Sequence, residues 1–164
     1  MRCRFAAVLI FACIFTAFGG SGCAAIRAAS ARNQVLHART AEHVYKLQCQ
    51  QLWPSVQALL FERGYAAAGS GPGGMLVTET QWRSEVRGSN TYWVRYLVQA
   101  FVPGPNQCQV MFTKSETQTP GMGAPYNVRD LDSEWVLLQR MDRPAAEQIA
   151  AEANTAGDRA AGEN

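Results

Sequence analysis

The sequence predicts an α+β fold in which one antiparallel sheet carries helices packed on one face. Two segments, 50–63 and 130–141, place apolar residues at helical spacing. Between them, residues 75–117 hold runs in which apolar and polar residues alternate with the period of two that a strand requires. Helices before and after a run of antiparallel strands give the predicted order β-α-β-β-β-α.

The order begins with a short strand over 43–48, followed by a helix from near Gln50. Pro54 fits the first turn of that helix, because N–H groups there have no intrahelical acceptor. Gly64 follows the last periodic residue and is the expected left-handed cap. The apolar stripe of this helix consists of Trp53, Val56, Leu59 and Leu60.

Three strands follow the first helix. Residues 66–74 are rich in glycine and predict a turn, and 75–82 predict a strand. Residues 84–90 predict a polar turn before the strongest strand of the chain, over 91–102. A Pro-Gly loop then closes a hairpin to the last strand, 108–117.

The long strand has two different faces. Val94, Tyr96 and Val98 belong to one face, while Trp93, Leu97 and Phe101 belong to the other, separated by polar residues. The second set, here called the stripe, is interpreted either as an ordinary sheet face covered by a loop or helix, or as an exposed contact surface for a protein or lipid. Two further tryptophans on the helical stripes, Trp53 and Trp135, are predicted to anchor the core.

The C-terminal part is predicted to be helical and then disordered. After a loop over 119–127, Asp130 or Asp132 caps the second striped helix. Pro144 restarts a shorter helix. Residues 154–164 are small, charged and aperiodic, and predict a free tail, so that the α+β domain covers 42–153.

The N-terminus has the pattern of a secretory signal. Residues 1–22 contain two arginines, an apolar core of about fourteen residues and the small-residue exit GGSG. The core is shorter than the roughly 20 residues that a spanning helix needs. Cys23 directly after these small residues resembles the lipobox of bacterial lipoproteins, in which the cysteine thiol receives a diacylglycerol.

The lipobox resemblance implies a destination for the mature chain. Ala24, in place of an aspartate, implies the periplasmic side of the outer membrane. Residues 23–41 are then the lipidated N-terminus and a flexible tether, either disordered or loosely helical. The alternative is an ordinary secreted or periplasmic protein.

Charge and cysteine content narrow the function classes. Removal of the signal lowers the 15 basic residues to 13, against 13 acidic ones. With no basic run left, the composition argues against nucleic-acid binding.

Cys49 and Cys108 remain as a pair, and an oxidising compartment favours a disulfide between them. The alternative is two separate core residues. A zinc site is disfavoured because neither cysteine lies near another cysteine or a histidine.

No motif predicts a catalytic or cofactor-binding site once its neighbouring residues are considered. Residues 69–74 carry the letters of a dinucleotide-binding glycine pattern, but lead into a strand and contain a proline. His37 and His43, the two histidines, predict neither a metal pair nor a catalytic base. The carboxylate pairs Glu79 with Glu85 and Asp130 with Asp132 are interpreted as edge and cap residues. The chain is therefore predicted to be no enzyme and to need no cofactor or metal.

The segments LWPSVQALLFERGY, MLVTETQW and RYLVQAFVPGPNQCQVMF resemble BamC-type lipoproteins of the β-barrel assembly machinery. Helix-grip modules of that family share a Trp-containing helix ending in Gly-aromatic, a Thr-Glu-x-x-Trp-like strand and a long hairpin. The resemblance covers residues 45–141 and implies a helix-grip-like fold without catalytic residues. Family members carry two modules and a longer N-terminal arm, whereas this chain has one module.

Two functions follow as expectations. The first is a non-enzymatic accessory or scaffold in envelope or outer-membrane protein assembly, held at the membrane by its lipid. The second is a carrier that encloses an apolar ligand such as a lipid. A carrier requires a cavity of several hundred Å³ between sheet and helices. A scaffold should have that space filled by four side chains, those of Trp53, Leu60, Trp135 and Leu138.

Overall fold

The computed structural model describes residues 19–70 and 76–162 and has an α+β fold. The four helices are α1 (Gly19–Glu42), α2 (Cys49–Glu62), α3 (Leu131–Met141) and α4 (Arg143–Gly162). The strands are β1 (Ala67–Ser70), β2 (Val77–Thr80), β3 (Arg83–Arg87), β4 (Asn90–Phe101), β5 (Gln109–Thr117) and β6 (Tyr126–Arg129). Two helices precede the strands and two follow them, so the predicted element order was wrong although the fold class was right.

The strands form one antiparallel sheet in the spatial order β1-β2-β4-β5-β6. Strand β3 pairs with the same edge of β4 as β2 does, so these two strands share one of the five positions. The central pair is β4 and β5, whose register runs from Trp93 opposite Thr117 to Phe101 opposite Gln109. The predicted hairpin between the two longest strands therefore forms the middle of the sheet.

The core of the sheet domain lies between one sheet face and helices α2 and α3. Helix α2 buries its predicted apolar residues, which are Trp53, Val56, Leu59 and Leu60. Gly64 after the helix has a φ of 79°, as a left-handed cap requires. Asp130 caps α3 by accepting a hydrogen bond from the Ser133 N–H at 3.0 Å. The largest fully buried side chains here are Leu52, Leu59, Val94, Val98, Phe112, Leu137 and Leu138.

Several short elements differ from prediction. The strand expected over 43–48 is reduced to one bridge, in which Tyr45 pairs with Cys108. Three segments expected to be turns or loops instead supply β1, β3 and β6. Each of these three strands pairs with a neighbour on one side, and β3 and β6 keep mostly exposed side chains. The sequences of β1 and β3 lack the apolar alternation that identifies a half-buried strand, and in β6 that alternation covers only four residues.

Compact contacts divide the chain into two units, and the first contains residues 19–38 and 148–162 of the described chain. This unit contains most of α1 and of α4. A Cβ atom placed on Gly157 would lie 3.0 Å from the carbonyl oxygen of Ala28, so the two helices approach closely there. Ile149 and Ala153 are buried in the same unit. The second unit, residues 39–147, contains the sheet.

Both predicted flexible ends are helical in the structure. Residues 23–41, expected as a tether, belong to α1, and residues 154–162 of the expected tail belong to α4. The side of α1 turned away from solvent carries alanines, among them Ala24, Ala28 and Ala31. Alanine allows close helix packing but gives little hydrophobic contrast, which explains why the helical pattern was missed. The predicted signal segment lies largely outside the described residues.

Candidate functional site

The stripe of Trp93, Leu97 and Phe101 lies on the sheet face opposite the core. Because Val94, Tyr96 and Val98 of β4 are buried, the residues that alternate with them point to the other face. Trp93 and Leu97 are half-buried, and Phe101 is 41% exposed. The structure thus brings all three predicted residues to one face, with exposure greatest at the Phe101 end.

Polar groups interrupt the stripe at its centre. Arg95 lies between Trp93 and Leu97 in sequence and forms an ion pair with Glu79 of β2. Its guanidinium carbon also lies 4.6 Å from the ring centroid of Trp82, within cation–π distance. Both members of the ion pair are partly exposed to water, so it contributes little stability. A charged segment therefore divides the apolar stripe.

A groove of about 380 Å³ opens at the Phe101 end of the stripe. Val102 beside it is 70% exposed, and the Ala100 N–H donates to the Leu76 carbonyl at 2.9 Å, which fixes one wall. The groove is lined by Cys49, Gln50, Leu76, Ala100, Phe101, Val102 and Pro103. Its wall is mostly apolar, and its volume lies within the range of pockets that bind small ligands.

The sequence does not predict the groove. Alternation over the predicted strand 91–102 places Val102 on the face of Val98, but β4 ends at Phe101 and alternation no longer applies. Leu76 was placed inside a strand that in fact begins at Val77. The sequence feature that indicates the groove is the apolar pair Phe101-Val102 directly before a proline. A strand ends at such a proline, and its last side chains become exposed.

A disulfide borders the groove. Cys49 at the start of α2 and Cys108 before β5 are both buried and joined, with their Cα atoms 5.0 Å apart. The main chain supports the junction, because the Tyr45 N–H donates to the Cys108 carbonyl at 2.8 Å and the Cys108 N–H donates back at 3.0 Å. The groove wall contributed by α2 is therefore tied covalently to the sheet.

Most predicted acidic and histidine candidates have structural contacts. Glu85 accepts a hydrogen bond from the Tyr65 hydroxyl at 2.6 Å and pairs with Arg87. Burial raises the pKa of Asp130, but hydrogen bonds from Ser133 and Tyr96 outweigh it and hold that pKa below its usual value. His43 lies 3.4 Å from Asp142, and burial lowers its pKa.

These groups do not converge on the stripe or the groove. Among residues 19–70 and 76–162, no three potential metal ligands cluster. The residues that line the groove are mostly apolar.

Cys23 has a free, exposed thiol on α1. Within the part of the chain that the structure describes, no helix is long and apolar enough to cross a bilayer.

No family model fits the sequence, and no curated protein matches it at a significant level.

Proposed function

We propose that this protein is a lipoprotein anchored through Cys23 to the periplasmic side of the outer membrane. It acts there as a non-enzymatic accessory or scaffold in envelope or outer-membrane protein assembly. The exposed cysteine directly behind the signal-like segment carries this proposal. A diacylglycerol on its thiol supplies the attachment, because each buried methylene contributes about 0.8 kcal/mol.

The partner-binding surface in this proposal is the stripe together with the groove. Phe101 and Val102 present apolar surface at the groove, and the ion pair of Arg95 with Glu79 lies further along the stripe. Exposed apolar surface next to polar groups is typical of protein interaction sites. The lipid confines the domain to a surface and raises its effective concentration for a partner there.

The groove of about 380 Å³, between the start of α2 and the end of β4, has the volume expected of a carrier but is partly open to solvent. The remaining space between sheet and helices is filled, which favours the scaffold over a carrier that encloses its ligand. Three of the four residues expected to fill the space between sheet and helices, namely Trp53, Leu60 and Leu138, are buried, while Trp135 is half-buried. Around them, Val98 and Phe112 are fully buried. An enclosed ligand would have to displace these side chains. The helix-grip-like arrangement is thus proposed as a support for a binding surface.

The anchor is tested by Cys23→Ala. Because the variant lacks the thiol that receives the diacylglycerol, we expect the protein to move from the membrane fraction to the soluble periplasmic fraction. The measurement is immunoblotting of fractionated cells, with Cys23→Ser as a second variant that also lacks the thiol. Retention of both variants in the membrane fraction would contradict the proposed anchor.

The partner surface is tested by site-specific photo-crosslinking in intact cells. A photoreactive residue at Val102 is expected to form adducts with envelope-assembly proteins, identified by mass spectrometry. The matched control is Phe61 on α2, which is apolar and 79% exposed but lies away from the groove. Equal adducts from both positions, or none from Val102, would count against the groove as the binding surface.

A further inference from the structure

Strand β6 forms one edge of the sheet. It covers Tyr126–Arg129 and pairs on one side with β5, and it is the last strand in the spatial order of the described sheet. An edge strand presents main-chain N–H and C=O groups that can pair with another strand.

The register of β6 identifies its outward main-chain groups. The Asp130 N–H donates to the Phe112 carbonyl at 2.8 Å, which makes these residues a hydrogen-bonded pair of the ladder. Such pairs alternate along antiparallel strands. Val128 and Tyr126 therefore bond to β5, whereas Asn127 between them turns its N–H and C=O to the outer edge.

The side chains beside this edge are apolar and exposed. Tyr126 is 70% exposed and Val128 is 42% exposed. The two residues are separated by one position, so both project from the same sheet face. They flank Asn127, whose main-chain N–H and C=O point to the outer edge.

We propose that β6 pairs antiparallel with β6 of a second copy of this chain, with the two-fold axis at Asn127. In that register Asn127 lies opposite Asn127 of the second copy, and each N–H donates to the opposite carbonyl. Tyr126 then faces Val128 of the second copy, and Val128 faces its Tyr126. Aromatic and β-branched residues are favourable cross-strand neighbours, so both flanking pairs are complementary.

Self-complementarity is the reason to assign a second copy as the occupant. A two-fold interface requires a patch that matches its own reverse, and the order Tyr-Asn-Val meets this condition. The same register places Arg129 opposite Pro125, so that no like charges oppose each other. The paired segment is short, and a short interface gives a reversible, concentration-dependent dimer.

The test compares Asn127→Pro with Asn127→Ala. Proline removes the outward N–H but leaves the ladder to β5 intact, since the N–H of residue 127 does not bond to β5. Alanine keeps the main-chain donor. The chain carrying Cys23→Ala, purified without detergent, is examined by sedimentation velocity over a range of concentrations, and circular dichroism checks that each variant is folded.

The mass of the parent and of Asn127→Ala is expected to rise toward twice the monomer value with concentration, while Asn127→Pro stays monomeric. A second readout is hydrogen exchange of the Asn127 amide in the parent, which should slow as concentration rises. A parent that is monomeric throughout, dimers of Asn127→Pro, or concentration-independent exchange at Asn127 would each overturn the proposal.

Discussion

Replacing both Cys49 and Cys108 with alanine is expected to lower the free energy of unfolding by about 4 kcal/mol. The disulfide joins residues 59 apart in sequence. In the chain-entropy model, removing a cross-link of this span returns that much conformational freedom to the unfolded chain. Alanine avoids burying a hydroxyl at two positions that are both buried in the folded protein.

The measurement is urea unfolding of the parent and of the double variant, each with and without reductant. Reductant should destabilise the parent toward the variant and leave the variant unchanged, which makes the variant its own control. Because Cys49 also lines the groove, we expect crosslinking from Val102 to weaken in the variant. Identical unfolding midpoints of the parent with and without reductant would contradict the stabilising role.

The parts of this fold that were predictable are those with a single dominant pattern. Helix α2 follows from its apolar stripe and Gly64, and β4 follows from strict alternation over 91–101. The face assignment of Trp93, Leu97 and Phe101 followed from the same alternation. These patterns are strong because one side of each element is buried and the other is not.

The elements that were missed do not satisfy that condition. The half-buried positions of α1 include alanines, and α4 approaches Ala28 of α1 at Gly157. Neither helix therefore has a strongly apolar side. Half of strand β6 falls in the predicted loop 119–127, because an apolar alternation over four residues is too short to predict a strand. The groove depends on where β4 stops and on the contact between residues 76 and 100, which sequence pattern cannot give.

The largest electrostatic effect is expected at the buried Glu134. Its carboxylate is 4% exposed and accepts bonds from Arg129 Nε and a terminal guanidinium nitrogen, both at 2.8 Å. It also accepts a hydrogen bond from the Phe112 N–H at 3.1 Å, at the part of β5 just beyond its pairing with β6. Arg129 in turn donates to the Ala41 carbonyl at 2.9 Å. Glu134 therefore links α3, β5 and β6.

Arg129→Met is expected to lower the free energy of unfolding at neutral pH by about 2 to 3 kcal/mol. Removing one partner of a buried ion pair costs about 3–5 kcal/mol, because the other charge stays buried without compensation. The cost is smaller here because Arg129 is itself 34% exposed. The double variant Arg129→Met with Glu134→Gln removes both charges and should recover part of the loss, which a double-mutant cycle measures.

The dependence of this loss on pH distinguishes an electrostatic role of Arg129 from simple packing. Burial raises the pKa of Glu134 above its usual 4.5, although Arg129 opposes the shift. Without Arg129 that pKa rises further, so the folded state binds the proton more tightly than the unfolded state does. Stability of Arg129→Met should then fall, relative to the parent, as pH rises from about 4 to 7.

Denaturant unfolding of both proteins at several pH values measures the effect. Near pH 4, Glu134 in the variant is protonated and carries no charge that needs compensation. The difference in unfolding free energy between the two proteins should therefore be small. Glu134→Gln serves as the control, because it cannot ionise and should make the effect of Arg129→Met independent of pH. If Arg129→Met lowers the unfolding free energy by the same amount at every pH in chains that keep Glu134, then Arg129 contributes through packing of its side chain alone.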